Sequence, residues 1–223
     1  MPKDEPNEYI EPRFVPLKII YEDNYLIAVH KPSGMLTHNT FGGNHSLENA
    51  LAGYFYPTPY VFRGVNRLDK DTSGIVIVAK DSLIASILSE QIKKGDFKKY
   101  YKAIVCNTPP SKHGIIEQPI KKESDISIKR IIDSSGKQSK TEYFLEKTLS
   151  NNLSILSYIL HTGRTHQIRV HSAFIGCPLY ADKLYGQEIE GKTFCLCAYK
   201  LELTHPISKQ RLILTTDLDE NLL

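Results

Sequence analysis

The 223-residue sequence has no feature that would place the protein in a membrane or outside the cell. No apolar run approaches the roughly 18 residues that a bilayer-spanning helix needs. The opening stretch, MPKDEPNEYIEPRF, is charged and contains prolines, so it does not resemble the apolar core of a secretory signal. The sequence therefore predicts a cytoplasmic protein.

The chain also has none of the common motifs for metal or cofactor chemistry. Its eight histidines show neither His-x-x-x-His nor His-Glu-x-x-His spacing. A G-x-S-x-G nucleophile motif, a P-loop and a dinucleotide-binding glycine pattern are missing as well. We therefore expect no metal site and no cofactor.

Cysteine is scarce, and its spacing is not that of a disulfide framework or a zinc site. The four cysteines are Cys106, Cys177, Cys195 and Cys197, and no two of them form a C-x-x-C pair. On a strand, Cys195 and Cys197 would point to the same face. We expect these two thiols to be free and to fill a core.

Neither sign of charge is in large excess, since 28 Lys and Arg stand against 25 Asp and Glu, a net charge of +3. This balance alone is too mild to indicate nucleic-acid binding. The basic residues are nevertheless clustered along the chain: Lys93, Lys94, Lys98, Lys99 and Lys102; Lys121, Lys122, Lys129 and Arg130; Arg164 and Arg169. These clusters are either solvated surface or, where folding gathers them at a cleft, a binding site for a phosphate backbone.

The composition, 41% hydrophobic and 24% charged, is typical of a globular protein. Residues 1–16 contain four prolines and several charges, which predicts an extended arm followed by a folded domain over residues 17–223. The pattern predicts many short strands and few helices, and the two kinds of element do not alternate. We therefore predict an α+β fold with a largely antiparallel mixed sheet rather than a doubly wound one.

Three elements have clear individual signals. The apolar run Gly74–Ala79 predicts a buried central strand. A helix is predicted over Leu83–Lys94, with Asp81 or Ser82 as its cap and Gly95 at its end. Its apolar residues near one face are Leu83, Ile87, Leu88 and Ile92. A second helix is predicted over Thr165–Ile175.

Two segments together point to a known family. They are VNRLDKDTSGIVIVAK at Val65–Lys80 and LHTGRTHQIRVH at Leu160–His171. In this order they resemble the signature of the RluA-type pseudouridine synthases, which isomerise uridine to pseudouridine in RNA. The resemblance begins near Leu17. It implies two sheet-bearing halves with the active site in the cleft between them. Many relatives carry a small N-terminal RNA-binding domain, which we do not expect here.

The resemblance implies that Asp69, in the Arg-Leu-Asp tripeptide, is the catalytic residue. The carboxylate would attack the ribose or the base, or would remove a sugar proton, and the sequence does not choose between these routes. Without the family motifs, Asp69 would be read as a turn aspartate. The resemblance also implies that Arg67 reaches into the RNA near the extruded base. The family usually has histidine at position 66, where this chain has Asn66, an indication that the position is structural.

The stretch KKYYKAIV matches the family's Lys-x-Tyr-x-Ala pattern, with Lys99 and Tyr101 in register. A ring at Tyr101 could stack on the flipped uracil, and its hydroxyl could assist proton removal. Tyr100 would point to the opposite face of the strand. Arg169 matches the arginine that pairs with the catalytic aspartate and keeps it ionised.

Lys99, Arg164 and His166 are expected to contact RNA or to shape the cleft. We therefore predict a monomeric pseudouridine synthase that acts on ribosomal or transfer RNA. One alternative is an RNA-binding or RNA-remodelling protein without catalysis. Another is a hydrolase that combines Asp69 with a histidine, although no supporting spacing is present.

Overall fold

The computed structural model describes residues 10–39 and 45–217, so residues 1–9 of the predicted arm lie outside the described residues. Across the described chain there are three helices and eleven strands. The chain separates into two compact units. The first unit comprises the chain up to Phe97 together with Lys200–Thr216, and the second comprises Lys98–Tyr199 and Asp217.

The first unit is built on antiparallel strands, in which β2 pairs with both β1 and β3 and β10 pairs with β11. Strand β10 begins in the second unit and contributes only its last residues, 200–204, to the first. The elements of this unit are β1 (Lys18–Glu22), β2 (Leu26–Lys31), α1 (Leu47–Phe55), β3 (Ser73–Ala79), α2 (Ser82–Lys94), β10 (Leu196–Thr204) and β11 (Arg211–Thr215). Every residue of β3 is buried, which confirms the predicted buried strand.

Helix α2 begins and ends as its capping residues predict. The Asp81 carboxylate accepts a hydrogen bond from the Ile84 amide at 2.8 Å, and Gly95 closes the helix in the left-handed region with φ of 80°. The predicted apolar face needs one correction, because Leu83 is 65% exposed and Ile84 is buried in its place. The buried stripe therefore follows Ile84 and Leu88, which are one helical turn apart.

The core of the first unit lies between α2 and the strands. Ile84 and Leu88 pack with apolar side chains of β2, β3, β10 and β11, including Leu26, Ile77 and Leu201. Full burial of one such side chain contributes roughly 1.5–3 kcal/mol. The loop that precedes β3 is therefore attached to a buried, well-packed strand.

The second unit has four antiparallel strands in the order β4-β9-β8-β5, and a separate two-stranded ladder of β6 and β7. Asn151 and Asn152, at the tip of the β8–β9 hairpin, both have positive φ, as a tight hairpin turn requires. The elements are β4 (Lys98–Cys106), β5 (His113–Glu117), β6 (Ile120–Lys122), β7 (Arg130–Ile132), β8 (Lys140–Thr148), β9 (Leu153–Leu160) and α3 (Gln167–Phe174).

The predicted α+β class with largely antiparallel strands is confirmed. Cys195 and Cys197 are in no disulfide and are buried, in agreement with the expectation that they fill a core. None of the helices in the described chain is both long enough and apolar enough to span a membrane.

Candidate active site

The loop at residues 67–72 carries Asp69 and leads directly into β3 in the first unit. The backbone of this loop is held by the segment at residues 31–37. The Thr37 hydroxyl donates to the Leu68 carbonyl at 2.8 Å and accepts from the Leu68 amide at 3.2 Å. The Gly34 amide donates to the carbonyl of Lys70 at 3.0 Å. The backbones of the residues before and after Asp69, Leu68 and Lys70, are therefore fixed by hydrogen bonds.

Lys31 supplies a buried cation beneath this loop. Its side chain is fully buried, and its ammonium donates to three carbonyl oxygens, those of Pro32 (3.1 Å), Met35 (2.7 Å) and Lys70 (3.0 Å). Burial lowers the pKa of Lys31 to about 8, while the negative charges of Asp71 and Asp69 act in the opposite direction. The ammonium is therefore mainly charged at neutral pH and attracts the carboxylate of Asp69.

Asn66 joins the start of the same loop to β3. Its side-chain nitrogen donates to the Ile75 carbonyl at 3.0 Å, and its side-chain oxygen accepts from the Ile77 amide at 2.9 Å. The amide is buried and forms part of the strand's hydrogen-bond pattern. Position 66 is thus structural in this chain, as the replacement of histidine by asparagine indicated.

The side chains of the Arg-Leu-Asp tripeptide have different environments. Leu68 is buried and anchors the loop, Asp69 is half-buried, and Arg67 is exposed. The exposed guanidinium of Arg67 is able to contact an anionic group from solution.

Tyr101 lies on β4 in the second unit and is 6% exposed. It is paired with Tyr158 of β9, whose hydroxyl lies 2.8 Å from the Ser172 hydroxyl of α3. Tyr100 precedes it and points to the other face of the strand, as the alternation of side chains requires. The side chain of Tyr101 is therefore almost fully enclosed by the protein.

Lys99, also on β4, is half-buried, and burial lowers the pKa of its ammonium. A methyl group added at Gly163 would lie 3.4 Å from the Lys99 nitrogen. Lys99 is therefore adjacent to the loop that carries Arg164. Arg164 is exposed, and its Nε donates to the Gln138 carbonyl at 3.2 Å.

Arg169 of α3 is buried and forms a bidentate ion pair with Asp182. Its Nε and Nη2 each donate to an Asp182 oxygen at 2.7 Å. The guanidinium also lies over the rings of Tyr185 and Phe194, 4.9 and 4.4 Å from their centroids. Asp182 has no exposed surface and accepts further hydrogen bonds from the amides that follow it.

Asp182, Tyr185 and Phe194 were not predicted from the sequence as partners of Arg169. The three lie outside the motifs that carry the family resemblance, in a segment with no strong pattern of its own. The pairing of Arg169 with Asp69 stays a prediction. The structure shows Asp182 as an acidic partner that holds the arginine side chain in place.

His166 occupies the position before α3 with a positive φ of 58° and does not cap the helix with its side chain. Its Nδ1 lies 2.8 Å from the Tyr185 hydroxyl, which also accepts a hydrogen bond from the Arg130 amide at 2.8 Å. Tyr185 therefore connects His166, Arg169 and the start of β7. Burial raises the pKa of Tyr185, so its hydroxyl stays protonated at neutral pH.

His171 is a buried histidine of α3 to which the sequence motifs assign no role. Its Nε2 lies 3.0 Å from the Gln118 carbonyl and its Nδ1 lies 2.8 Å from the Thr141 hydroxyl. Burial lowers the pKa of His171, which favours the neutral ring. Its contacts are those of a structural residue. Within residues 10–39 and 45–217, no three His, Cys, Asp or Glu side chains are grouped as a metal site would require.

Comparison with known proteins shows that the profile of the RNA pseudouridylate synthase family matches residues 25–174. The matched span contains Asp69, Tyr101 and Arg169. Among solved structures, human RNA Pseudouridylate Synthase Domain Containing 1 superposes with a TM-score of 0.76 at 25% sequence identity, covering 91% of this chain and 83% of that one.

Two curated relatives match over most of the chain. The uncharacterized RNA pseudouridine synthase YhcT of Bacillus subtilis is 34% identical over 91% of this chain and 68% of its own length. Ribosomal large subunit pseudouridine synthase D of Nitrosomonas europaea is 36% identical over 93% of this chain and 64% of its own. The chain thus spans about two thirds of the length of these relatives. By profile, sequence and fold, the chain belongs to the RNA pseudouridine synthase family.

Proposed function

We propose that this protein isomerises a specific uridine in ribosomal or transfer RNA to pseudouridine. The observation that carries the proposal is the family match over residues 25–174, which includes the Arg-Leu-Asp loop and the Gln-Ile-Arg segment. A relative at 36% identity is a ribosomal large subunit synthase, which supports ribosomal RNA as the first substrate to test.

The reaction is an isomerisation that leaves the atoms of the substrate unchanged in number. The bond between ribose C1′ and uracil N1 breaks, the base turns over, and a new bond forms between C1′ and C5. The hydrogen leaves C5, and N1 gains a proton. The reaction exchanges neither electrons nor a phosphoryl group, so the proposed mechanism uses no cofactor.

In this proposal, Asp69 is the catalytic carboxylate. It acts either as a nucleophile that attacks the ribose or the base, or as a base that removes a sugar proton. Both roles need the ionised carboxylate. The hydrogen bonds to Leu68 and Lys70 on either side of Asp69 support this role, because a fixed backbone aims the side chain before substrate arrives. The ammonium of Lys31 and the carboxylate of Asp69 attract each other, which also helps to orient the side chain.

The remaining site residues have distinct proposed roles. Tyr101 stacks on the flipped uracil and assists the final proton removal, and Arg169 keeps Asp69 ionised and aimed. Arg67 occupies the space that the extruded base leaves, and its exposure is consistent with this role. Lys99, Arg164 and His166 contact the RNA: Lys99 lies close to the Arg164 loop, and His166 follows that loop. The protein acts as a monomer in the cytoplasm.

The first prediction tests Asp69 directly. Asp69→Asn keeps the size of the side chain but removes its charge, so pseudouridine formation should fall by at least about a thousandfold while RNA affinity and folding are retained. The measurement is single-turnover formation of pseudouridine on large-subunit ribosomal RNA and transfer RNA transcripts with enzyme in excess.

Asp71→Asn is the matched control, since it removes a carboxylate from the same loop two residues away. It should keep most of the activity. Substantial turnover by a folded Asp69→Asn variant would contradict the mechanism. A wild-type protein that binds RNA but forms no pseudouridine in any transcript would instead support the non-catalytic RNA-binding alternative.

A further inference from the structure

A basic groove lies within the second unit, between the β6–β7 ladder and the loop before α3. Its volume is about 450 Å³, within the range of sites that hold ligands the size of a nucleotide. Five basic side chains line it, and none of its described lining residues is acidic. These side chains, which we call the basic groove residues, are Lys121, Lys122, Arg130, Lys137 and Arg164.

The walls of the groove are held by backbone contacts. Ile120 pairs with Ile132 of β7 and also exchanges two hydrogen bonds with Lys137, at 3.0 and 2.9 Å. Gly136 approaches Ile120 so closely that an added methyl group would lie 2.6 Å from the Ile120 carbonyl carbon. The backbone that forms the walls of the groove is therefore fixed by the fold, whatever rotamers the surface lysines adopt.

The charges in the groove are only partly neutralised by the protein. Lys121 pairs with Asp133 at 2.8 Å, and hydrogen bonds from Lys121 and Ser135 hold the pKa of Asp133 well below its usual range. That one carboxylate is set against five basic side chains. An anion that enters the groove would reduce the repulsion among these five cationic side chains.

Arg130 gives a second and independent indication of an anionic ligand. Its backbone amide donates to Tyr185, but its Nη1 is buried and has no hydrogen-bond acceptor in the part of the chain that the structure describes. A buried donor without an acceptor is costly, and more so when the group is charged. A phosphate oxygen in the groove would supply the acceptor.

We infer that the basic groove binds the phosphate backbone of the substrate RNA. This inference rests on the proposed function for the identity of the RNA, but the groove's chemistry is that of phosphate recognition alone. The groove brings together two basic clusters that are separate in the sequence, one at residues 121–130 and the other at Arg164. It extends phosphate binding to residues that no catalytic motif includes.

The inference is tested by the salt dependence of binding to a fluorescent single-stranded oligouridylate. Arg130→Gln and Lys137→Ala should each weaken binding several-fold at low salt and reduce the slope of log K against log salt concentration by about 0.7 for each phosphate that the variant no longer neutralises. Lys147→Ala is the control, because Lys147 is exposed on β8 and lies outside the groove. A neutral-backbone oligomer of the same sequence should not distinguish the variants.

Lys137→Ala should fold like wild type, because Lys137 is exposed and its contacts with Ile120 are made by backbone atoms. This variant therefore keeps the test valid if Arg130→Gln does not fold. If Lys137→Ala and a folded Arg130→Gln both keep the wild-type affinity and slope, the groove does not bind phosphate, even where wild-type protein forms pseudouridine. If both variants show the reduced slope while wild-type protein forms no pseudouridine, the groove binds phosphate and the proposed catalytic function is wrong.

Discussion

At the scale of single residues, the buried ammonium of Lys31 supports the loop of the candidate site that carries Asp69. Removing a cation from water costs several kcal/mol unless hydrogen bonds replace its hydration. Three carbonyl oxygens do so here, and one of them belongs to Lys70, the residue that follows Asp69. The cation thus orders the loop that carries Asp69 and adds a positive charge close to Asp69.

A second prediction concerns Tyr101. If the ring stacks on the base and the hydroxyl aids proton removal, Tyr101→Phe should keep RNA affinity and lower single-turnover pseudouridine formation by roughly 10²–10⁴-fold. Single-turnover kinetics and RNA titration on the same variant separate the two effects.

Tyr100→Phe is the matched control, since the neighbouring ring points to the other face of β4, and it should behave as wild type. Full activity of Tyr101→Phe would leave Tyr101 only a stacking role. Full activity of Tyr101→Ala would remove it from the site altogether.

At the scale of elements, helix α3 is anchored by polar contacts as much as by apolar packing. Its Arg169 is joined to Asp182, and its Ser172 lies within hydrogen-bond distance of Tyr158. Gln167 donates to the Lys140 carbonyl and to Thr141 on β8. Because these groups are buried, removal of any partner would leave an unsatisfied polar group in the interior.

A third prediction follows for Arg169→Met. It leaves the fully buried Asp182 carboxylate without its cation, so the free energy of unfolding should fall by about 3–5 kcal/mol. Urea unfolding measured beside pseudouridine formation shows how much of the activity loss is structural. Arg164→Met, the same change at an exposed arginine, should leave the stability close to that of wild type.

The double variant Arg169→Met/Asp182→Asn refines this test, since the asparagine oxygen can still accept from the amides of Leu184 and Tyr185. With the unpaired carboxylate also removed, much of the stability should return. Activity should not return with it, because Arg169 is proposed to act on Asp69. An active and stable double variant would limit Arg169 to a structural role.

How far the sequence predicts each element depends on how local its determinants are. The apolar run of β3 and the cap of α2 at Asp81 are local, and both were predicted. Strands β6 and β7 were not predicted, because each has only three residues. They depend on pairing with other segments of the chain, as Ile120 pairs with Lys137. Helix α3 is shorter than predicted, because His166 adopts a left-handed conformation that a helical pattern does not reveal.

The same distinction applies to the candidate site. Motifs predicted Asp69, Tyr101 and Arg169 as site residues, because the family resemblance rests on residue types at fixed spacing. Their supporting partners were not predicted. Lys31 reaches the Asp69 loop from 39 residues away, and the Asp182 carboxylate contacts Arg169 across a segment without a motif. Such contacts follow from the path of the chain and not from local pattern.

At the scale of the whole molecule, stability in acid depends on contacts between distant parts of the chain. Asp23, in the turn between β1 and β2, accepts a hydrogen bond from His205, which lies 182 residues further along. Burial alone would raise the pKa of Asp23, but hydrogen bonds from Tyr25, Leu26, Tyr21 and His205 lower it to about 2.

A fourth prediction follows from this pKa. Because the pKa in the folded protein is depressed, the carboxylate stabilises the fold above pH 4, and this contribution disappears as the pH falls towards 2. Asp23→Asn should therefore lower the free energy of unfolding by about 1–2 kcal/mol at neutral pH, and the difference from wild type should shrink below pH 4. Chemical unfolding across this pH range measures it.

Asp96→Asn, at an exposed aspartate of the same unit, is the control and should follow the wild-type curve. A difference between Asp23→Asn and wild type that stays constant from neutral pH down to pH 2 would contradict the assignment. It would mean that the substitution acts through shape and not through charge.

The contacts of α1 with the segment before β1 bear on where the chain can be shortened. The Arg13 amide donates to the Asn49 carbonyl at 2.9 Å, and the Asn49 side chain donates to the Glu11 carbonyl at 3.0 Å. A methyl group at Gly53 would lie only 2.2 Å from the Arg13 carbonyl oxygen. A chain shortened to begin at residue 17 would lose the hydrogen-bond partners of buried Asn49, so a truncated protein should retain Glu11 and Arg13.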